Sequence, residues 1–486
     1  MYVIHTMADF TFSLVVAYSF PSRGIGKDGR MGWKIPADMK RFVQLTSTPD
    51  NFGILPVVVM GRKTWDSLPA KPLNNRLNVV LTKTPEKYNE NPIDKVIFCT
   101  FDNLITALER SPYRHHKNIK VIGGGEIYKL FLESNLPIDY IYATEVYTSK
   151  EPEYDTRFPE IKNQYIHDVS NFFKNSKDDI YYRFITYSAN PYTKWVNKEE
   201  DAYLRLMQDI VSSGCVRDDR TGVGTYGVFG KQLTYDLSET FPISTTKRMF
   251  LRGIFEELMM YLRGQTDNKI LISKGVHVWD GNTSRDFLDS RGLVGYEEGD
   301  MGSTYGFNFR HFGAEYNGCG EDYSGCGYDQ LENAIHLIKT DPTSRRIIIN
   351  LWDPKANQGA ALPACLCMYQ FYVRHATHLD LQIYIRSSDY FLANNWNTCT
   401  GALLVHLICS LSGVNLSPGN LTVCMGDTHI YRSHIQQVME NVKREPYPFP
   451  KLVVNKKKEK IEDFVFSDIQ LLGYKCHDRI SAPIAV

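Results

Sequence analysis

Residues 361–372 read Ala-Leu-Pro-Ala-Cys-Leu-Cys-Met-Tyr-Gln-Phe-Tyr, which places a thiol between a proline turn and a run typical of a β-strand. A cysteine attacks carbon as the thiolate, and a free cysteine, with a pKa of about 8.5, needs nearby positive charge to ionise at neutral pH. Arg345, Arg346 and Arg386 lie in the neighbouring segments. Cys365 is therefore the candidate nucleophile, against the common alternative of a small buried hydrophobe.

Length and composition bound the classes of protein that fit. The 486 residues are enough for two or three domains, each with its own core. Hydrophobic residues make up 43% and charged residues 23%, as in soluble globular proteins. Lys plus Arg equals Asp plus Glu at 55 each, which argues against a nucleic-acid-binding protein.

The ten cysteines are scattered, and many lie in apolar runs, as expected of reduced thiols in a cytoplasmic protein. A zinc site is the alternative interpretation. Neither Cys319 with Cys326 nor Cys365 with Cys367 has the usual two-residue spacer, so we expect no metal.

Two apolar runs bear on targeting. The run 12–20 lacks a basic flank and follows Asp9, so it predicts a buried strand rather than a signal peptide. The run 402–411 is too short to span a bilayer.

From residue 12 to 187, short β-branched segments alternate with helix-like ones. This pattern predicts an α/β domain, a mainly parallel twisted sheet with flanking helices. The predicted strands are 12–18, 56–60, 78–81 and 120–122, and the predicted helices are 36–45 and 125–132.

Asp38 lies in the first turn of a predicted helix with an apolar face that includes Met39, Phe42 and Val43. A carboxylate beside nonpolar groups can hold an aminopyrimidine ring and supply a proton. The simpler alternative is an acid that favours the helix dipole.

Two glycine-containing segments follow predicted strands: Gly61-Arg62-Lys63-Thr64 and Gly123-Gly124-Gly125. Backbone donors and basic side chains at such positions suit a diphosphate, although each segment alone is also an ordinary tight turn.

With Gly32-Trp33-Lys34-Ile35-Pro36-Ala37-Asp38, Met60 to Trp65, Ile122-Gly123-Gly124 and Asp155 to Pro159, residues 9–187 resemble dihydrofolate reductase. The resemblance implies that Asp38 and Thr144 hold the pteridine, that Arg76 meets the folate carboxylate, and that the paired glycines carry a cis peptide. The folate contacts that it implies are Val15, Val16, Asp38, Met39, Phe42, Ser67, Arg76, Ile122, Tyr128 and Thr144. The NADPH contacts that it implies are Ala17, Gly29, Gly61, Arg62, Lys63, Thr64, Thr82, Lys83, Gly123, Gly124, Gly125 and Tyr128.

Residues 188–193 contain a proline and small polar residues and predict a short linker. The second domain, 194–486, opens with helical periodicity over 198–213. Residues 222–227 fit a dinucleotide-binding fingerprint letter for letter, but a charged segment precedes them and a strand-like run, 228–237, follows. Both flanks argue against that fingerprint.

The second domain resembles thymidylate synthase over Asp219 to Thr225, Trp279 to Asn282, Arg310 to Tyr316 and Gly426 to Tyr431. The resemblance implies an α+β domain that forms a homodimer through a sheet face, with Arg345 and Arg346 supplied by the partner subunit. The implied catalytic residues are Cys365, Glu257, Arg386 and Asn397. The implied dUMP contacts are Arg220, Arg345, Arg346, Arg386, Ser387, Asp389, Asn397, His429 and Tyr431. The implied folate contacts are Lys247, Trp279, Asn282, Asp389 and Val486.

The sequence departs from the two families at a few positions. Ala364 and Leu366 flank Cys365 where the synthase family usually has proline and histidine, and Met260 stands where tryptophan is common. Gly32 stands where a reductase usually has proline. We expect activity to survive, because the arginines and Asn397 provide the larger electrostatic contributions.

Together the two resemblances imply the reductase-synthase fusion of protozoa and plants. Such an enzyme would convert dUMP and 5,10-methylenetetrahydrofolate to dTMP and dihydrofolate, and would reduce dihydrofolate with NADPH. The alternative is an active synthase with a non-catalytic folate-binding first domain.

Overall fold

The computed structural model of the chain describes residues 10–49, 53–89, 93–110, 118–148, 151–219 and 222–483. The chain divides into two units, Met1–Trp195 and Val196–Val486, and each contains its own hydrophobic core. The predicted linker at 188–193 falls within the first range, and its boundaries stay a prediction.

Strands and short helices alternate along the first unit. Its strands are β1 (Thr11–Ser19), β2 (Gly24–Gly26), β3 (Val57–Gly61), β4 (Leu77–Leu81), β5 (Val96–Cys99), β6 (Asn118–Gly123), β7 (Ile138–Thr148), β8 (Thr156–Arg157), β9 (Tyr165–Val169), β10 (Phe173–Lys174) and β11 (Ile180–Ser188). Its helices are α1 (Pro36–Ser47), α2 (Arg62–Ser67), α3 (Glu86–Asn89), α4 (Leu104–Glu109) and α5 (Gly125–Glu133). The predicted strands and helices are confirmed to within a few residues at each end.

The main sheet of the first unit has the strand order β10-β11-β7-β1-β6-β3-β4-β5, and β9 pairs with β11. β1 is parallel to β6 and β7, β3 is parallel to β4 and β6, and β11 is antiparallel to β7. Every residue of β3 and β4 is buried, as in parallel sheets that are covered on both faces. The predicted mainly parallel sheet is confirmed, and β1, β3, β4 and β6 end along one edge.

Helix α1 differs from the prediction in which side chains it buries. Met39 and Val43 are 54% and 45% exposed, whereas Thr46 is fully buried. Residues four apart share a helix face, so Asp38, Phe42 and Thr46 form the inward row. The predicted apolar face therefore borders solvent, and the carboxylate lies on the protected side.

The second unit combines a mixed sheet with longer helices. Its strands are β12 (Cys215–Arg217), β13 (Thr225–Asp236), β14 (Ile348–Asn350), β15 (Leu366–Arg374), β16 (His378–Asp389), β17 (Ser417–Tyr431), β18 (Lys451–Val454) and β19 (Ile469–Leu472). Its helices are α6 (Lys198–Ser213), α7 (Leu251–Leu262), α8 (Lys269–Ile272), α9 (Asp280–Thr283), α10 (Arg285–Ser290), α11 (Tyr305–Arg310), α12 (Gln330–Thr340), α13 (Asn394–Cys409) and α14 (Ile435–Asn441). The dinucleotide fingerprint is absent as a structure, because residues 222–227, all described, run into β13 and no helix follows them.

The main sheet of the second unit has the order β12-β13-β17-β16-β15-β14, with β16 and β17 parallel and the other pairs antiparallel. Helix α13 is embedded in the core, and its residues are buried except for Trp396, Asn397 and Cys409. The two exceptions in its first turn are therefore the positions where this buried helix meets the open site.

Three absences hold for the part of the chain that the structure describes. No helix there is both long and apolar enough to cross a membrane. No group of three or more His, Cys, Asp or Glu side chains there is placed to hold a metal ion. The ten cysteines all fall within the described ranges, and none forms a disulfide.

A buried ion pair links two strands of the first unit. Glu145 on β7 and Arg183 on β11 are 5% and 3% exposed. Arg183 donates to Glu145 Oε2 from Nε at 2.9 Å and from Nη2 at 2.8 Å, and the Tyr18 hydroxyl donates to Oε1 at 3.1 Å. Removing one partner would leave a buried charge without compensation.

We predict that Glu145→Gln lowers the opening free energy of the first unit by about 3 kcal/mol, because the Arg183 guanidinium loses its counter-charge in the interior. Hydrogen-exchange mass spectrometry of β1 and β7 peptides measures this change. The matched control is Glu153→Gln, which breaks the exposed pair with Lys27 and should change the free energy by less than about 1 kcal/mol. Equal effects of the two substitutions would contradict the prediction.

Candidate active sites

Cys365 lies immediately before β15, where the chain leaves a proline turn, and it is half-buried. Its N–H donates to the Tyr305 hydroxyl at 2.8 Å, and its carbonyl accepts from the Arg386 N–H at 2.9 Å. Both backbone groups are thus held by neighbouring elements. The side chain is positioned at a fixed point from which solvent can reach it.

Arg386, on β16, fixes the turn that carries the thiol. Its guanidinium donates to the Ala364 carbonyl at 2.9 Å and to the Pro363 carbonyl at 3.0 Å, and Nη2 lies 4.0 Å from the Cys365 sulfur. The same guanidinium stacks over the Trp352 ring at 5.0 Å. A cation held at this distance stabilises a thiolate, which is the reactive form.

Cys367 shows the contrasting environment. It is buried, and burial raises its pKa above the ordinary value. Burial likewise raises the pKa of Cys99 to about 11 and that of Cys409 to about 12. Cys99 and Cys367 are buried, inert thiols, so the structure separates the candidate nucleophile from them.

The first turn of α13 and the end of β17 add polar groups. The Asn397 side-chain amide makes no hydrogen bond to any described residue. Asp389 accepts from the Phe391 and Leu392 N–H groups at 3.2 and 3.1 Å, which orients the turn into α13. His429 Nδ1 lies 2.8 Å from Asp427 Oδ1, and its ring packs edge-on against Tyr431 at 5.4 Å.

Glu257, on α7, is a buried carboxylate held by indole groups. Oε1 accepts from Trp279 Nε1 at 2.8 Å, and Oε2 accepts from Trp396 Nε1 at 2.6 Å. Burial raises the pKa of Glu257, although the two indole N–H groups and Tyr261 oppose that rise. Asn282 lies on α9, next to Trp279, with a side chain that bonds to no described residue.

The predicted anion-binding residues of the second unit differ in how far they are exposed to solvent. Ser387 is half-buried beside Arg386, whereas Arg345 and Arg346 are exposed before β14 and pair with no carboxylate of the described residues. Arg220 and Val486, also predicted for this site, lie outside the described residues.

Lys247, a predicted folate contact, lies in the interior of the second unit. It is 5% exposed and its ammonium donates to the Phe391 carbonyl. Burial lowers its pKa to about 8, and Nζ lies over the Phe391 ring at 4.2 Å. The apolar environment and the carbonyl hold this ammonium in the interior, and its contact with a folate stays a prediction.

In the first unit, Asp38 and Thr144 meet across the cleft between α1 and the sheet. The Thr144 hydroxyl donates to Asp38 Oδ1 at 2.7 Å. Burial raises the pKa of Asp38, while the Thr144 hydrogen bond and the nearby Arg41 guanidinium oppose the rise. A carboxyl group with a raised pKa can carry a proton into a reaction near neutral pH.

Arg76 is a buried guanidinium, 7% exposed, and among the described residues no carboxylate pairs with it. It donates to Thr46 at 2.6 Å and to the Asn74 carbonyl at 2.8 Å, and it lies 6.0 Å from the Phe42 ring centre. Burial lowers the pKa of Arg76, because the charged guanidinium has lost contact with water. An anionic ligand bound beside it would compensate for that loss. Two other predicted folate contacts differ from Arg76. Met39 is exposed, and the Ser67 hydroxyl donates to the Thr64 carbonyl.

The remaining reductase-type residues follow the shared edge of the parallel strands. Val15, Val16 and Ala17 lie on β1, Ile122 is the last but one residue of β6, and Tyr128 of α5 donates to the Val15 carbonyl at 2.6 Å. The Gly123-Gly124 peptide is cis, as the resemblance implied.

The glycines and basic groups at this edge leave room for a phosphate chain. A Cβ on Gly124 would lie 3.3 Å from the Thr64 hydroxyl, so glycine keeps that approach open. Lys63 and Lys83 are exposed, Arg62 pairs with Asp66 at 2.6 Å, and Gly29 has a φ of 73°. Gly61, Thr82 and Gly125 complete the set at the strand ends and at the start of α5.

Sequence reasoning missed three groups. Trp396 and Tyr261 surround Glu257, and the Arg41 guanidinium donates to the Ala143 carbonyl at 2.9 Å beside Asp38. Trp396 lies 139 residues from Glu257, and no spacing rule links positions so far apart. Its place directly before Asn397 was the one available signal.

Comparison with known proteins covers both units. The family model for dihydrofolate reductase matches residues 11–189, and that for thymidylate synthase matches residues 201–486. The chain is 38% identical to the bifunctional dihydrofolate reductase-thymidylate synthase of Zea mays, over 97% of this chain and 96% of that protein. It is 39% identical to bifunctional dihydrofolate reductase-thymidylate synthase 1 of Arabidopsis thaliana, over 98% and 96%. It is 35% identical to the Leishmania major protein of the same name, over 99% and 97%.

We predict that iodoacetamide alkylates Cys365 at least about tenfold faster than Cys367, and that Arg386→Gln slows the reaction at Cys365 several-fold, because the thiolate loses its adjacent cation. Peptide mass spectrometry over time measures both rates. Cys215, which is exposed, should react equally in both proteins, and buried Cys399 should stay unreactive if the variant is folded. An unchanged rate at Cys365 would contradict the prediction.

Proposed function

Because the chain belongs to the bifunctional dihydrofolate reductase-thymidylate synthase family, we propose that its two units carry the two activities for which the family is named. The reductase domain is 9–187, the linker is 188–193 and the synthase domain is 194–486. The synthase domain methylates dUMP with 5,10-methylenetetrahydrofolate, which gives dTMP and dihydrofolate. The reductase domain returns dihydrofolate to tetrahydrofolate with NADPH.

The observation that carries the synthase proposal is the half-buried Cys365 sulfur 4.0 Å from the Arg386 guanidinium. The thiolate adds to C6 of the uracil ring, which leaves the neighbouring C5 nucleophilic toward the one-carbon unit of the folate. The dUMP phosphate is a dianion and needs several guanidinium groups. Arg386 and Ser387 serve one subunit's site, with Arg220 from the same chain and Arg345 and Arg346 from the partner.

Asn397 recognises the uracil base. Its amide has no partner among the described residues, and it can donate to a uracil carbonyl while accepting from the ring N–H. Cytosine presents the opposite pattern and would leave both groups unsatisfied. His429 and Tyr431 bind the deoxyribose hydroxyl, and Asp389 holds the base and the pterin.

Trp279, Asn282 and Val486 form the folate side of the synthase site, with Asp389 between folate and nucleotide. Glu257 handles the proton steps through ordered water, as a carboxyl group whose two oxygens accept from two indoles. Support for this role comes from its burial beside Tyr305, whose hydroxyl bonds to the Cys365 backbone.

In the reductase domain, Asp38 and Thr144 hold the pteridine and Asp38 supplies the proton. Arg76 binds the folate carboxylate, as its burial without a described carboxylate partner supports. Val15, Val16, Met39, Phe42, Ser67, Ile122 and Tyr128 form the walls of the pocket. Asp38 bonds to Thr144, and Arg76 bonds to Thr46 on the same inward row of α1, and this grouping argues against a non-catalytic first domain.

NADPH supplies the hydride when it is bound. The residues at the carboxyl edge of the parallel strands fit its phosphates, because they combine glycine backbone with exposed lysines and hydroxyls. Those residues are Ala17, Gly29, Gly61, Arg62, Lys63, Thr64, Thr82, Lys83, Gly123, Gly124, Gly125 and Tyr128.

The synthase domain forms a homodimer through the outward face of its sheet. The pairing registers align uncharged residues in two rows across β13, β17, β16 and β15. The rows are Gln232, Cys424, Tyr384 and Met368, and Thr234, Thr422, Gln382 and Gln370. Uncharged rows in the middle of a sheet face are typical of the centre of an interface rather than of a solvated sheet. Arg386 lies two residues beyond Tyr384 on the same side of β16, so a partner docked here reaches the Cys365 site.

We propose a cytoplasmic location for the enzyme. The ten cysteines form no disulfide, as is usual in reducing compartments.

The decisive test is a single reaction mixture, with dUMP and methylenetetrahydrofolate added first and NADPH second. Cys365→Ala should slow dihydrofolate formation by more than about a thousandfold and leave the reduction of supplied dihydrofolate unchanged. Asp38→Asn should slow the reduction by about a hundredfold or more and leave dTMP formation unchanged. Absorbance and product chromatography measure both steps.

Cys367→Ala is the matched control, because it removes a buried thiol two residues from the nucleophile and should retain dTMP formation. If Cys365→Ala kept its activity, or if the wild-type first domain failed to oxidise NADPH, the corresponding half of the proposal would be wrong.

Subunit mixing tests the borrowed arginines. Cys365→Ala and the double variant Arg345→Gln/Arg346→Gln should each be inactive as synthases. An equimolar mixture that exchanges subunits should recover about a quarter of wild-type activity, since half of the dimers are mixed and one of their two sites is complete. Reductase activity provides the control for protein amount. No recovery after exchange would show that the arginines act within their own subunit.

A further inference from the structure

Trp396 is the residue near the synthase site to which no role has been given above. It stands in the first turn of α13, one of three positions of that helix that are not buried. Its indole N–H donates to Glu257 Oε2 at 2.6 Å, while Trp279 donates to Oε1 at 2.8 Å. The carboxylate is therefore held at both oxygens by side chains from two other segments.

We propose that Trp396 is a positioning residue of the synthase reaction, which holds Glu257 ionised and in one orientation toward the bound nucleotide. This inference rests on the proposed role of Glu257 in the proton steps. An indole N–H can donate but cannot accept, so protonation of the carboxyl group would weaken one of the two bonds, because a hydroxyl oxygen is a poorer acceptor than a carboxylate oxygen. The pair of indoles thus selects the carboxylate state.

The position of Trp396 couples the Glu257 carboxylate to the recognition of the uracil base. Asn397, the proposed uracil contact, is the next residue of α13. A shift of this turn on binding dUMP would move the indole as well, and with it the Glu257 carboxylate on α7.

Glu257 is the group that titrates in this cluster. The titratable described residues that face it are Tyr261 on its own helix, Tyr305 on α11 and Tyr369 on β15, and burial raises the pKa of each. These tyrosines stay neutral at and below neutral pH, and the two tryptophans do not titrate. Cys365 does not face Glu257 directly, because Tyr305, whose hydroxyl accepts from the Cys365 N–H, lies between them. The Trp396 bond favours the charged form of Glu257, so its removal raises the pKa of Glu257.

The test uses Trp396→Phe in the full chain, which removes the N–H and keeps an aromatic ring. We expect kcat for dTMP formation to fall about tenfold or more, as for loss of a hydrogen bond to a charged group, with KM for dUMP changed less than about threefold. The acid limb of the kcat profile should move upward by about one pH unit. The reductase activity of the same chain and the affinity for dUMP report that the variant is folded.

Glu257→Gln, alone and with Trp396→Phe, separates this inference from the function on which it rests. If Trp396 acts through Glu257, adding Trp396→Phe to Glu257→Gln should lower kcat by less than about twofold. Full additivity of the two losses, or an unshifted acid limb in Trp396→Phe, would overturn the positioning role. Wild-type activity in Glu257→Gln would instead overturn the proposed role of Glu257.

Discussion

The synthase unit depends on how one guanidinium group is used twice. Arg386 donates to the carbonyls of Pro363 and Ala364, and its backbone N–H bonds to the carbonyl of Cys365. The same group lies 4.0 Å from the sulfur. Because one residue sets both the shape of the turn and the local charge, the thiol cannot be correctly placed without also having a cation beside it. A lysine could supply the charge but not the planar fork that holds two carbonyls.

In the reductase unit, burial rather than a neighbouring charge sets the properties of Asp38 and Arg76. Asp38 lies on the inward row of α1, where loss of solvent raises its pKa, and the Thr144 hydroxyl limits that rise. Arg76 is also removed from solvent but lacks a carboxylate partner among the described residues. The inward row of α1 thus carries a carboxyl group that is ready to hold a proton and, at Thr46, contacts a guanidinium group that is ready to bind an anion. Both features suit a ligand with a basic ring and an acidic tail.

Much of the fold was predictable from the sequence because its cause is local. The β-branched runs gave the parallel strands, and the strand-like run after residue 227 was enough to reject the dinucleotide fingerprint. The candidate site was predictable only where motifs carried it. Trp396 could not be paired with Glu257, since the contact joins α13 to α7 through packing alone. The interior position of Lys247 could not be predicted, since a backbone carbonyl and an aromatic ring from a distant segment hold its ammonium inside. Met39 and Val43 were predicted on the apolar face of α1, but both are exposed, because the buried face of the helix lies one row away.

The alternation of β16 links its length to catalysis. Leu381, Ile383 and Ile385 are buried in the core, while Gln382, Tyr384 and Arg386 lie on the other side of the strand. An insertion or deletion of a single residue between His378 and Ile385 would exchange these two sets. It would drive the guanidinium into hydrocarbon and turn isoleucine toward the nucleotide. The number of residues in this strand is therefore as constrained as the identity of Arg386.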